Sequence, residues 1–235
     1  MRWRPACRSD GTFPQRHEPT LPCPADVASK RSKEGPPDWA GFYRWTARRP
    51  PRELLLRTLD HIGWETKRPR RRSAIDLGFG AGNDSLELLR RGWRVLGIDQ
   101  QLAAIRFLSR RVPPRRRNSL TLLQAPMEGL TLPSSDLVYA SFSLPFCDPA
   151  AFPELWATIR RSLAPGGHFA GQLFGDHDEW AGKRPMSFHS ARQVRDLAKG
   201  YRIELLREVD EAGRSFEGPK QWHYFEVILE KARGS

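Results

Sequence analysis

The sequence predicts an α/β fold: a doubly wound, mostly parallel seven-stranded sheet closed by a C-terminal antiparallel hairpin. Three observations carry that expectation. Short apolar runs alternate with helical stretches, a glycine-rich loop follows the first of those runs, and the last two runs adjoin through glycines with no helix between them.

Residues 1–37 precede that pattern. They hold seven of the 20 prolines, scattered arginines and no period of 2 or 3.6, which marks them as a disordered Pro/Arg-rich extension to a domain spanning 38–235. Pro50 and Pro51 then open a helix over 51–63, with Leu54, Leu55, Thr58, Leu59 and Ile62 on one face. Strand 73–77 (SAIDL) runs into the glycine loop and a helix over 85–91. Strand 94–98, helix 101–110, strand 120–123, strand 137–141 and helix 152–163 follow. Pro165-Gly166-Gly167 closes the last of these. Strand 168–174, helix 190–198 and strands 201–208 and 222–229, joined through Gly213 and Gly218-Pro219, complete the order.

Composition excludes several classes. No window approaches 18 uninterrupted apolar residues, so no membrane span is expected. The arginines near the start precede no apolar segment of the kind a secretory signal needs. Cys7, Cys23 and Cys147 are too few and too scattered for a disulfide framework or a zinc set, and a reducing cytoplasm is the expected setting. The net charge of +12 raises the question of nucleic acid. Of 39 basic residues, however, 32 are arginine, a skew that GC-rich coding alone produces. The arginine runs at 67–72, 90–94, 110–117 and 160–161 all precede strands, which places them at the amino edge of the sheet as a solvated rim or a tethering surface.

The strongest chemical signal is Asp76-Leu77-Gly78-Phe79-Gly80-Ala81-Gly82, where a strand gives way to a helix. Asn83 stands at the third glycine position of the dinucleotide fingerprint, so G-x-G-x-x-G fails. Asp76 before the loop and Asp84 at the helix start would repel a pyrophosphate. They suit a ligand with an ammonium and a sulfonium, both of which S-adenosylmethionine carries. Asp99, at the end of the second strand, can take two ribose hydroxyls.

The segments AIDLGFGAG at 74–82, GID at 97–99 and LAPGG at 163–167 resemble those of the class I S-adenosylmethionine-dependent methyltransferases. GAGND at 80–84, ASFSLPF at 140–146 and KQWHYFEV at 220–227 are similar to the small tellurite-resistance-type members of that superfamily. The resemblance implies a Rossmann-like sheet, with S-adenosyl-L-methionine as cofactor and an enzyme of the methyl-transferring class. It puts the backbone of Gly78, Gly80 and Gly82 along the methionine part, Asp76 near the ammonium, Asp99 at the ribose, and Gln100 and Ser141 in the same cofactor site. Phe79 replaces a frequent cysteine. Ala125-Pro126-Met127-Glu128 lacks the aspartate that often meets the adenine amine, which leaves Met127 to pack on the ring and Glu128 or a backbone carbonyl to accept its hydrogen bond.

Acceptor-side residues come from loops at the carboxyl edge: Ser141, Phe142, Pro145, Phe146 and Cys147, then Asp176, His177, Asp178 and Trp180, with Tyr43 and Trp45 as N-terminal cover. Tyr43, Asp176 and His177 are the catalytic candidates. Asp176-His177-Asp178 reads as a base with its orienting carboxylate, a solvated loop or a metal site, and no third and fourth ligand stand at metal spacing, so no metal is expected. His189 helps start the helix at 190, and both it and His223 suit interior positions. Cys147 reads as a small buried hydrophobe. The expected reaction is in-line methyl transfer to a small-molecule acceptor, such as a thiol, a metalloid or a metabolite oxygen or nitrogen, because one domain leaves no room for a recognition module. The alternatives are an RNA methyltransferase and a cofactor-binding protein without turnover.

Overall fold

In a computed structural model of the chain, residues 38–63 and 72–233 are described. The 1–37 extension and the basic residues at 67–71 lie outside them. The described residues form α1 (Trp39–Thr46), α2 (Glu53–Ile62), β1 (Ser73–Leu77), α3 (Asn83–Arg90), β2 (Arg94–Asp99), α4 (Leu102–Arg111), β3 (Leu120–Gln124), β4 (Ser135–Ala140), α5 (Phe152–Ser162), β5 (Leu163–Gly175), β6 (Phe188–His189), α6 (Ala191–Leu197), β7 (Tyr201–Ser215) and β8 (Gly218–Lys231). The sheet order is β3-β2-β1-β4-β5-β8-β7, with β8 antiparallel to both neighbours and the short β6 paired to the end of β5. This is the expected Rossmann-like architecture, with one two-residue strand more than the seven expected.

Alternation along the strands sends Ile75, Leu77, Val138, Phe169 and Phe225 to one face, against Leu155, Trp156 and Ile159 of α5. Ala74, Val95, Tyr139 and Ile228 face the other way, against α1 to α4. Fully burying side chains of this size stabilises by about 1.5–3 kcal/mol each.

Three details differ from the sequence reading. Trp39–Thr46 is a helix, started by Asp38, whose carboxylate accepts from the Gly41 N–H at 2.8 Å. Pro165-Gly166-Gly167 lies within β5 as a register shift beside β4 and is not a separate turn. The terminal hairpin is longer than expected, because Gly213, Gly218 and Pro219 are paired strand residues and the turn is Phe216-Glu217.

The arginine rim is partly confirmed. Arg90 and Arg116 adjoin at the amino edge, where the Arg116 guanidinium donates to the Arg90 carbonyl at 3.1 Å. Arg111 departs from the rim: it reaches back to the carbonyls of Ala81 and Ala47, joining the glycine loop to the end of α1.

Candidate functional site

Three left-handed glycines shape the loop after β1, with φ of 65° at Gly78, 55° at Gly80 and 77° at Gly82. A Cβ at Gly78 would lie 2.4 Å from Ser143 Cβ, and one at Gly82 would lie 2.5 Å from Leu108. Only at Gly80 is there room, its nearest neighbour being the Tyr43 ring at 3.7 Å. The chain's own packing therefore demands two of the glycines, while Gly80 opens on a cleft. Phe79 turns away from it and packs on Gly97 of β2, as expected for a side chain on the far side of the loop. Backbone and carboxylate hold the loop, since the Gly78 N–H donates to the Ile98 carbonyl at 2.7 Å and the Gly80 N–H to Asp99 Oδ2 at 3.0 Å.

The cleft has a volume of about 280 Å³ and is lined by the glycine loop together with Asp76, Asn83, Asp84, Ser141, Arg49 and Arg52. Asp76 projects from β1 and accepts from the Ser85 hydroxyl at 2.5 Å. Burial, then the neighbouring Asp84, pushes its carboxyl up to about 8. Asp84 is also raised by burial, although the Arg52 N–H donates to it at 2.8 Å. Asp99 is raised by burial as well, against hydrogen bonds from the Gln101 and Gly80 N–H groups. Two desolvated carboxylates, Asp76 and Asp84, line the cleft together with the guanidiniums of Arg49 and Arg52. Asn83 Oδ1 is buried in the same lining with no hydrogen-bond partner among the described residues. A zwitterionic amino-acid end would pair its ammonium with the carboxylates and Asn83 and its carboxylate with the arginines, so the residues present fit the S-adenosylmethionine head group.

The other residues expected at this site divide. Ser141 lines the cleft. Met127 is half-buried with its Cε 2.9 Å from where a Gly78 Cβ would sit, so it does reach the loop. Glu128 accepts from the Asp148 N–H at 3.0 Å and so steadies the segment after β4. Gln100 is exposed, and its carbonyl accepts from Gln124. Tyr43 is buried over the loop and close to Asp99, whose charge, after burial, raises the phenol further. Such a phenol holds its proton and makes a poor base. Arg49, Arg52 and Asn83 were missed by sequence reasoning. The Arg49-Pro50-Pro51-Arg52 run was a usable signal, since it brings two cations in front of the glycine loop.

The Asp176, His177 and His223 side chains come together at the ends of β5 and β8. His223 is buried, with Nε2 2.9 Å from Glu208 and Nδ1 accepting from the His177 N–H at 3.0 Å. The two imidazoles stack at 4.8 Å, tilted by 22°, so their lone pairs do not converge on one point. His177 is exposed to solvent and makes no contact with the cleft lining. Asp178, expected in a polar loop, is instead buried in an ion pair with Lys220 at 2.5 Å, enclosed by Trp222, Trp180 and Phe174. His189 does not cap the helix at 190. It is buried in β6 and held neutral, its imidazole lowered to about 4 by burial, and Ser190 makes a capping box with Gln193. Cys147 is buried, and its thiol is pushed up to about 12 by burial and by Glu128, which leaves it unreactive.

Fold and glycine-loop site are similar to those of the class I, S-adenosylmethionine-dependent methyltransferases. Residues 74–167, from β1 into β5, match the family described as methyltransferase domain. TehB from Haemophilus influenzae is similar in structure, with a TM-score of 0.63 and 15% identity over 75% of this chain, which spans 61% of TehB. The Burkholderia thailandensis 1,6-didemethyltoxoflavin-N1-methyltransferase, solved with 1,6-didemethyltoxoflavin and S-adenosylhomocysteine, has a TM-score of 0.61 and 18% identity over 92% of this chain and 93% of its own. The glycopeptide N-methyltransferase MtfA, complexed with S-adenosylmethionine, has a TM-score of 0.53 and 17% identity over 78% of this chain and 96% of its own. No curated protein matches the sequence. Among the described residues, no helix is long and apolar enough to cross a membrane.

Proposed function

We propose that the chain binds S-adenosylmethionine in the glycine-loop cleft and transfers its methyl group to a small-molecule acceptor in the cytoplasm. The observation that carries this reading is the glycine-loop cleft itself, open at Gly80 and lined by the buried Asp76 beside Asp84. Asp76 and Asp84 hold the ammonium of the cofactor. Arg49 and Arg52, both lining the cleft and neither in an ion pair among the described residues, hold its carboxylate. Arg49 is lowered by burial and by Arg52, as expected of two guanidiniums brought together where an anion belongs. Asp99 takes the ribose hydroxyls and Met127 packs on the adenine.

When bound, the cofactor supplies an electrophilic methyl group that an acceptor lone pair takes in line while the S–C bond electrons pass to sulfur. The chain's contribution is to fix that geometry and to keep water out. Among the described residues no histidine lines the cleft: Tyr43 keeps its proton, and His177 stands at a separate cluster. That suits an acceptor already nucleophilic at neutral pH. Small-molecule neighbours of similar fold support this choice of acceptor, as does the placement of the arginine rim away from the cleft. The test is methyl transfer from labelled cofactor into a lysate fractionated into small molecules, RNA and protein. Label in the small-molecule fraction alone is expected; label in RNA would select the other enzyme reading.

A further inference from the structure

Phe142, immediately after the cleft residue Ser141, is the one non-glycine residue among the described residues with a positive φ, at 52°. A bulky side chain in that conformation carries strain that its surroundings must hold. They do so at two points. The Phe142 N–H donates to Gln172 Oε1 at 3.2 Å, and Gln172 in turn donates to Glu226, which accepts from Arg207 at 2.6 Å. The next residue is pinned too, Ser143 Oγ donating to the Leu77 carbonyl at 2.5 Å.

The strained backbone sets the ring against an aromatic wall. Phe142 meets Tyr224 at 5.1 Å and Trp222 at 5.8 Å, both edge to face, and the Arg52 guanidinium lies 4.8 Å from its centre. Phe142, Trp222 and Tyr224 are only half-buried, so ring surface is left open beside the cleft. Above the wall, β7 and β8 run on past the end of β5: pairing with β5 stops at Phe174↔Tyr224, while β7 and β8 stay paired out to Ser215↔Gly218. The tip folds onto α1, with Phe216 5.7 Å from Trp45 and 6.1 Å from Phe42. The buried Lys220–Asp178 pair and the Arg184–Glu217 pair fasten this overhang to the loop after β5. The result is a half-buried aromatic surface beside the hairpin, joined to the cleft through Ser141 and Arg52.

We propose that this aromatic surface is the acceptor site and that the acceptor is a flat aromatic small molecule. Ring edges carry partial positive charge and ring faces negative charge, so edge-on and tilted rings such as these receive a planar π system, whereas a saturated ring gains only contact area. The guanidinium of Arg52 adds a flat cation at the junction with the cofactor. The inference rests on the cofactor reading above, because the surface adjoins the cleft at Ser141 and Arg52.

The experiment uses the full chain saturated with S-adenosylhomocysteine and compares 2-naphthol with its saturated counterpart 2-decalol by calorimetry. Binding of 2-naphthol about tenfold or more tighter is expected. Phe142→Gly, which accepts the positive φ without strain, and Trp222→Ala should each remove most of that preference and leave S-adenosylhomocysteine affinity unchanged. Equal binding of the two probes by the wild type, or an unchanged preference in folded Phe142→Gly, overturns the proposal. Loss of S-adenosylhomocysteine affinity in folded Phe142→Gly also overturns it, because the ring would then belong to the cofactor site. Failure of the wild type to bind S-adenosylhomocysteine would instead remove the cofactor reading itself.

Discussion

Replacing Asp76 by asparagine should stabilise the protein while destroying its cofactor site. The amide keeps the shape of the carboxyl and can still accept from the Ser85 hydroxyl, but carries no charge. In the wild type the folded state holds a proton on Asp76 up to a pH of about 8, whereas the unfolded chain releases it near 4. A carboxyl raised on folding costs stability as pH rises through that window, and the cost is complete above the folded value. At about 1.4 kcal/mol for each pH unit, the stability advantage of Asp76→Asn over wild type should widen by at most roughly 4 kcal/mol from pH 5 to pH 9. Urea unfolding at both pH values measures it. Affinity for S-adenosylhomocysteine at pH 8 should fall at least about a hundredfold, since the ammonium loses a buried carboxylate. A stability difference that stays flat between pH 5 and pH 9, or unchanged affinity in the variant, would refute the reasoning.

Asp99→Ala should weaken S-adenosylhomocysteine binding by about 1–3 kcal/mol, part of it through release of the Gly80 and Gln101 N–H groups that Asp99 now accepts, as calorimetry would show. Arg49→Gln with Arg52→Gln should weaken S-adenosylhomocysteine about tenfold or more yet leave 5′-methylthioadenosine unaffected, because only the first has a carboxylate; equal losses would place the pair elsewhere. Gly175→Ala should destabilise by about 2–4 kcal/mol in urea unfolding, since its Cβ would fall 2.0 Å from His223 Nδ1 and dislodge the His223–Glu208 contact. An alanine there with wild-type stability would mean that β5 and β8 shift freely.

The legible parts of the sequence were those in which burial imposes a period. SAIDL and RVLGI read as strands because both faces are covered, and Leu54, Leu55 and Leu59 read as a helix because one face packs on the sheet. Where the chain meets solvent, that signal fades. The overhang of β7 and β8 carries charges on exposed positions, and Gly213 and Pro219 imitate turn residues. Helix α1 is only eight residues long and rich in aromatic side chains of modest helix propensity, so its order depends on packing that involves Tyr43 and Phe107. The carboxylates of the site were visible because the glycine loop brackets them in sequence. The two arginines reach the cleft through tertiary structure, from the segment before α2, and the histidine cluster is assembled from residues 46 positions apart.

The central claim is that a buried, proton-holding Asp76 waits for the ammonium of S-adenosylmethionine. Titration of S-adenosylhomocysteine at pH 7 by calorimetry, in two buffers of different ionisation enthalpy, tests it most directly. Binding with release of most of one proton is expected, because a carboxyl poised at about 8 is mainly protonated at pH 7 and must ionise to hold the ammonium. No binding by the folded protein, or binding whose heat is the same in both buffers, would contradict the account.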